Sequence, residues 1–278
     1  MPTYPSDDGT ELAYRTEGTG DPLVVWPGGP ARDAAYLGDL GGLARVAGRT
    51  LVVPDPRGTG DSPDPADPTA YGPSRLADDL DALRAHLGLE RIDLLGHSAG
   101  ASVCLLYAAR HPARVGRLVL VAPGTSAVGL DISDDDWEER VALRSGEPWF
   151  AAARVALDSD DDSPATRQAM SPFLYGPWTE AARRHAATDE AQRNRGGTRA
   201  FRAEAVDTAT TRAALRSLTA PVRVIVGELD LMPGPEVAAE LAALFVDGRS
   251  VVQPGAGHFP WVDDPGRFAR LVSAALED

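Results

Sequence analysis

The sequence has 278 residues, a length at which one α/β domain can bury a sizeable core and still carry an insertion. Its formal net charge of −14 at pH 7 opposes sequence-independent binding to nucleic acid, because such binding needs basic side chains that neutralise phosphates. All 27 basic residues are arginine, and the absence of lysine excludes Walker A nucleotide-binding loops and enzymes that form a Schiff base through lysine, pyridoxal-phosphate enzymes included.

Six short apolar runs, rich in β-branched residues, predict strands that are buried on both faces of a sheet. Between them, apolar residues recur at helical spacing. This alternation of strand and helix predicts an α/β fold with a mostly parallel central sheet flanked by helices. In chain order the runs are "PLVVW" (22–26), "TLVVPD" (50–55), "IDLLG" (92–96), "RLVLVAP" (117–123), "VRVIVG" (222–227) and "RSVVQ" (249–253).

The alternation stops over residues 126–217, where the chain is rich in alanine and arginine and its pattern is helical. Because a strand pattern resumes afterwards, we predict one α/β core, residues 1–125 and 218–278, with residues 126–217 inserted as a helical lid. An insertion between two strands of a parallel sheet lies near their carboxyl ends, where open α/β sheets bind ligands.

A glycine-serine-glycine motif, "GHSAG" (96–100), joins a predicted strand to a predicted helix. A strand-turn-helix setting is what a nucleophile elbow requires, and the turn is so tight that the two glycine positions tolerate little side chain. The motif therefore predicts that Ser98 is a nucleophile exposed at the end of the sheet.

A serine hydroxyl is a weak nucleophile near neutral pH, so Ser98 needs a histidine base and a carboxylate that orients it. His258 lies in a glycine-rich loop after the last predicted strand and is our candidate for the base. The other histidines favour surface or structural positions, and His97 is expected to pack beneath the elbow. Asp230 follows the penultimate predicted strand and is our candidate for the acid, with Glu228 as its competitor.

A second glycine turn, "WPGGPARD" (26–33), begins at the end of the first predicted strand, "PLVVW" (22–26). Backbone N–H groups in such a turn, and at the first turn of a helix, can stabilise the negative charge that develops on a carbonyl oxygen. We therefore predict an oxyanion hole formed by the N–H groups of Gly29 and Ala99.

Together these motifs resemble the α/β-hydrolase superfamily, and within it the proline-iminopeptidase-like branch. Residues 27–30, "PGGP", resemble that branch's H-G-G-P-G turn, and residues 55–62, "DPRGTGDS", resemble its D-x-R-G-x-G-x-S loop. The chain order Ser98, Asp230, His258 is also that of the superfamily. The resemblance covers nearly the whole chain and implies a cofactor-free serine hydrolase that forms an acyl-enzyme.

Three positions depart from the iminopeptidase pattern. Pro27 replaces the histidine of the glycine turn, Ala31 replaces its last glycine, and Ala99 follows the serine where iminopeptidases usually carry tryptophan. These departures leave the substrate class open between a small ester, an amide and a thioester.

The lid contributes four candidate substrate-binding residues. Iminopeptidases hold the substrate amine with lid carboxylates, and by this resemblance Glu204 and Asp207 are the candidates here. Trp149 and Trp178 are candidates for an apolar lining of the substrate pocket, and packing within the lid is the alternative role for both.

The remaining features of the sequence narrow the class of protein further. A single cysteine, Cys104, excludes a cysteine-built zinc site, and no G-x-G-x-x-G follows a predicted strand, so we expect neither metal nor organic cofactor. We expect no membrane or nucleic-acid partner, a cytoplasmic location, and a small molecule or short peptide as substrate.

Two alternatives remain open from the sequence. A C–C bond hydrolase or another pathway-specific metabolite hydrolase would use the same three residues, whereas a non-catalytic ligand-binding homologue would keep the fold without turnover. Epoxide hydrolases and dehalogenases place aspartate at the elbow, so Ser98 argues against them.

Overall fold

The computed structural model describes residues 1–277, and its central feature is an eight-stranded sheet. The strands are β1 Thr3–Pro5, β2 Glu11–Gly18, β3 Pro22–Trp26, β4 Thr50–Pro54, β5 Ile92–His97, β6 Val115–Val121, β7 Val222–Gly227 and β8 Gly248–Gln253.

The strands are ordered β1-β2-β4-β3-β5-β6-β7-β8, and β3 to β8 run parallel. All six predicted strands are confirmed, and the mostly parallel sheet with them. The antiparallel strands β1 and β2 were not predicted. Only the first half of β2 is buried, and its second half is charged and exposed, so it lacks the continuous apolar run that marks the other strands.

Twelve α-helices lie within residues 1–277. They are α1 Leu43–Ala47, α2 Pro73–His86, α3 Ala99–Arg110, α4 Asp134–Ala142, α5 Phe150–Leu157, α6 Pro164–Met170, α7 Glu180–Ala187, α8 Arg195–Ala203, α9 Thr208–Leu215, α10 Pro235–Ala242, α11 Pro260–Asp263 and α12 Pro265–Glu277. In the part of the chain that the structure describes, no helix combines the length and apolar character needed to cross a membrane.

Two hydrophobic cores lie on opposite faces of the sheet. Because successive side chains of a strand point to opposite faces, Val24 packs in one core with α2, α3 and α10, while Val25 packs in the other with α1 and α12. Burial of both faces explains the near-continuous apolar runs of the central strands.

The chain between β6 and β7 is helical, and it contributes helices α4 to α9 but none of the eight strands. It has a small apolar cluster of its own, in which Val141, Ala153 and Phe173 pack with Leu231 of the loop after β7. This insertion therefore rests on the end of the sheet at which the parallel strands finish.

Candidate active site

Ser98 lies between the last residue of β5 and the first residue of α3, with φ 52° and ψ −126°. This left-handed backbone is costly for a residue with a Cβ, and it persists where surrounding contacts enforce it. The Ser98 N–H donates to the Val121 carbonyl at 3.0 Å, and its carbonyl accepts from the N–H groups of Ala101 at 2.9 Å and Gly124 at 2.8 Å. The strained turn is thus held from both sides.

The glycines of the elbow are required by close approach. A Cβ on Gly96 would lie 2.8 Å from the Cys104 sulfur, and a Cβ on Gly100 would lie 2.3 Å from the Pro27 carbonyl oxygen. The second contact brings the elbow directly against the neighbouring glycine turn.

Three polar side chains from three different loops meet at the end of the sheet. The His258 Nε2 atom lies 2.9 Å from Ser98 Oγ, and His258 Nδ1 lies 3.0 Å and 3.1 Å from the two carboxylate oxygens of Asp230. Asp230 is fully buried, and His258 is buried. With Nδ1–H donating to the carboxylate, Nε2 is free to accept the serine proton.

The competing acid, Glu228, has a different partner. Its Oε2 atom accepts from the Gly255 N–H at 2.7 Å, within the loop that leads to His258. Glu228 therefore holds the backbone of this loop, while Asp230 contacts the imidazole.

The glycine turn after β3 packs against the serine. A Cβ on Gly28 would lie 2.8 Å from the Ser98 Cβ, and Gly29 has a φ of +127°. The Gly28 N–H donates to the Tyr36 hydroxyl at 2.7 Å, and the Gly29 carbonyl accepts from Arg193 Nη1 at 2.7 Å. Within residues 1–277 the N–H groups of Gly29 and Ala99 have no hydrogen-bond partner, so both are free to bind a ligand oxygen.

Comparisons with known proteins show the family of this chain. A family model described as "alpha/beta hydrolase fold" matches residues 21–265. The chain belongs to the α/β-hydrolase family.

Among individual proteins, this α/β hydrolase is 29% identical to the proline iminopeptidase of Levilactobacillus brevis, over 90% of this chain and 87% of that protein. It is 31% identical to the putative carbamate hydrolase RutD of Cronobacter turicensis, over 90% of this chain and 92% of that protein. The crystal structure of the esterase RhEst1 from Rhodococcus sp. ECU1013 is similar with a TM-score of 0.75 and 27% identity, covering 100% of this chain and 98% of that one. The resemblance to proline-iminopeptidase-like hydrolases is confirmed, and the relatives are enzymes.

Sequence reasoning missed an arginine of this hydrolase that holds the Asp230 loop. Arg140 of α4 is buried, and its Nε donates to the Asp230 carbonyl at 2.9 Å and its Nη2 to the Glu228 carbonyl at 2.7 Å. The guanidinium also pairs with Glu236 at 3.0 Å. Nothing in the acidic run around Arg140 distinguishes it from a surface arginine.

The loop that carries His258 is bonded to the insertion at two points. The His258 N–H donates to the Leu174 carbonyl at 2.8 Å. Asp263 Oδ2 accepts from the N–H of Gly257 at 2.8 Å and from the N–H of Gly176 at 3.0 Å. Burial raises the pKa of Asp263 to about 6 even though these two amide donors act to lower it.

Asp263→Asn is expected to change the pH dependence of stability. Since the folded pKa of Asp263 lies above its unfolded value of 3.8, the wild type loses stability as the pH rises from about 4 through about 6, by roughly 2 to 3 kcal/mol. The asparagine variant lacks this titration. The free energy of unfolding of the variant minus that of wild type should therefore rise as the pH increases from about 4 through about 6. Urea unfolding at about pH 4 and about pH 7.5 measures this, and a difference that is constant or of opposite sign would contradict it.

The two candidate carboxylates of the insertion lie in unlike surroundings. Glu204, at the end of α8, is half-buried, and its Oε2 atom is so close to Gly72 that a Cβ there would lie 1.9 Å away. Asp207 is exposed and caps α9 by accepting from the Thr210 N–H at 3.0 Å. Of these two, Glu204 has no hydrogen bond or ion pair within residues 1–277, whereas Asp207 is engaged in a helix cap.

The two candidate tryptophans both contact other aromatic rings of the insertion. The Trp149 ring lies edge-on to Phe173 with centroids 5.0 Å apart, and the Arg144 guanidinium lies 4.7 Å from its centre. The Trp178 ring lies 5.5 Å from Tyr175. In the described part of the chain, neither tryptophan has a ring contact or hydrogen bond with the residues around Ser98.

A small, largely apolar cleft lies beside the free N–H groups. Its lining includes Gly28 and Ala99 of the two turns together with Arg57, Tyr71 and Phe201, but neither Ser98 nor His258. Phe201 belongs to α8, the helix that ends next to Glu204. The cleft thus brings the insertion and the elbow together.

Proposed function

We propose that this chain is a serine hydrolase that cleaves a small ester, amide or thioester through an acyl-enzyme on Ser98. The observation that carries the proposal is the continuous hydrogen-bonded set from Ser98 Oγ through His258 to Asp230, at 2.9 Å and 3.0 Å. A serine hydroxyl bonded to a histidine that a buried carboxylate orients is the arrangement that activates serine for acyl transfer.

The geometry gives each residue a role in a two-step reaction. As Ser98 Oγ attacks the carbonyl carbon, its proton moves to His258 Nε2, and the resulting oxyanion accepts from the N–H groups of Gly29 and Ala99. The tetrahedral intermediate collapses when the bond to the leaving group breaks and His258 returns the proton to that group. A water molecule then attacks the acyl-enzyme, with His258 again as base, and releases the acid and free Ser98.

The cleft next to Gly28 and Ala99 is small, and most of its lining is apolar, with Tyr71, Val103 and Phe201 among the lining residues. This lining supports a substrate with a small apolar group. We propose that the insertion serves as a lid over this cleft. Neither Trp149 nor Trp178 lines the cleft, so their part in substrate binding stays a prediction.

One observation favours an aminopeptidase as the second candidate. Glu204 is half-buried, and its carboxylate lies beside Gly72, the residue that follows Tyr71 of the cleft. No cationic side chain within residues 1–277 pairs with this carboxylate. An N-terminal amine of a substrate would supply that cation, and the relative from Levilactobacillus brevis is a proline iminopeptidase. Asp207, which caps α9, is the weaker partner for such an amine.

A substrate panel tests the proposal and separates the candidates. Purified wild type and Ser98→Ala are assayed on short-chain nitrophenyl esters, the matching thioesters and prolyl arylamides. Hydrolysis of any class that depends on Ser98 supports the serine hydrolase. Cleavage of prolyl arylamides that falls at least about tenfold in Glu204→Gln, with ester cleavage unchanged, identifies the aminopeptidase; equal rates for wild type and Ser98→Ala on every substrate would overturn the proposal.

A further inference from the structure

A chain of hydrogen bonds connects the glycine turn to the loop that carries His258. The Gly28 N–H donates to Tyr36 Oη at 2.7 Å, Tyr36 Oη lies 2.7 Å from His97 Nδ1, and His97 Nε2 lies 3.0 Å from the His258 carbonyl oxygen. Tyr36 and His97 are both buried, so no solvent competes for these bonds.

The groups at the two ends of this hydrogen-bonded series fix the position of every proton in it. A backbone amide can only donate and a carbonyl oxygen can only accept, so Tyr36 must donate to His97 Nδ1, and His97 must carry its proton on Nε2. Burial, and secondly the neighbouring His258, hold the pKa of His97 well below its ordinary value, which keeps the imidazole neutral. Burial likewise raises the pKa of Tyr36 and keeps its hydroxyl protonated.

We propose that Tyr36 and His97 are positioning residues that hold the oxyanion turn and His258 in register with each other. The inference rests on the proposed serine hydrolase function. Gly28 immediately precedes Gly29, one of the two proposed oxyanion donors, and glycines alone do not restrain a turn. The Tyr36 hydroxyl restrains the peptide before this donor, and Arg193 restrains the carbonyl after it.

The ring of Tyr36 is itself held rigidly. It lies in the 3₁₀ helix Ala34–Leu37, with the Arg32 guanidinium 4.5 Å from its centre and the His97 and Trp261 rings at 5.6 Å and 6.2 Å. Preorganised donors are what stabilise a developing oxyanion, and a displacement of about 1 Å can cost on the order of 10²-fold in rate.

A second tyrosine-histidine pair provides a matched control. Tyr175 Oη lies 2.7 Å from His185 Nδ1, and His185 Nε2 lies 2.9 Å from the Tyr36 carbonyl oxygen. Tyr175 is as deeply buried as Tyr36 and makes the same kind of bond. Its hydroxyl, however, bonds neither Gly28 nor any atom of His97 or His258.

The test compares Tyr36→Phe with Tyr175→Phe. Both remove one buried hydroxyl, so both should lower the unfolding temperature similarly. Tyr36→Phe is expected to lower kcat by about 10- to 100-fold with KM changed less than about threefold, because the oxyanion donor acts in the transition state. Tyr175→Phe should keep kcat within about threefold of wild type. Equal kcat values for the two variants would overturn the proposal.

Fluorophosphonate labelling separates failure of this inference from failure of the proposed function. If wild type is not labelled at Ser98, the serine hydrolase itself is wrong. If wild type is labelled and Tyr36→Phe is labelled at the wild-type rate, only the positioning role is wrong.

A double variant tests whether Tyr36 and His97 act through the same series of hydrogen bonds. Tyr36→Phe combined with His97→Gln should lose no more kcat than the worse single variant, because either change breaks the same path. Losses that multiply would contradict a shared role. Should His97→Gln not fold, the comparison of Tyr36→Phe with Tyr175→Phe decides the proposal alone.

Discussion

Asp230→Asn is expected to lower kcat by about 10⁴-fold while the protein stays folded. Asp230 Oδ1 accepts the Met232 N–H at 2.9 Å, which would hold the oxygen of the new amide in that place. The amide nitrogen would then face His258 Nδ1 and donate to it. The His258 proton would be forced onto Nε2, where it blocks transfer of the proton from Ser98.

Glu228→Gln is the matched control for this substitution. It also replaces a carboxylate with an amide in the same loop, and the amide oxygen can still accept the Gly255 N–H. Its kcat should stay within about threefold of wild type, with steady-state kinetics on the best substrate of the panel as the measurement. Equal losses in the two variants would show that the loop, rather than the Asp230 charge, matters.

Ser98→Ala and His258→Ala are each expected to lower kcat by about 10⁴- to 10⁶-fold. The double variant should show no larger decrease in kcat than either single variant. The reason is that Ser98 and His258 form one proton-transfer unit at 2.9 Å, and removal of either member stops the unit. Single-turnover and steady-state rates of the three variants make the comparison. Losses that multiply in the double variant would mean that the two side chains act independently.

Local rules made much of the fold and the site predictable from sequence. Continuous apolar runs identified the six strands β3 to β8, and glycine spacing identified the tight turn at Ser98, because both signals depend on residues close together in the chain. The carboxyl ends of parallel strands lie at the same end of a sheet, so the loops after β5, β7 and β8 were expected to lie close together. The structure brings Ser98, Asp230 and His258 within hydrogen-bonding distance there.

What sequence reasoning missed depends on contacts between distant segments. Arg140 bonds the backbone of Asp230 across 90 residues, and Asp263 bonds Gly176 across 87. No spacing rule connects such pairs. The same limit applies to His97, which was expected simply to pack: its ring does pack beneath the elbow, but its two nitrogens also bond Tyr36 and the His258 backbone.

The most direct test of the central claim is to find the residue that a fluorophosphonate modifies. The inactivated protein is digested, and peptide mass spectrometry locates the adduct. We predict one phosphonyl group on Ser98, loss of activity in proportion to its incorporation, and no adduct in Ser98→Ala. An active protein that carries no adduct, or an adduct on a different serine that tracks the loss of activity, would contradict the assignment of Ser98 as nucleophile.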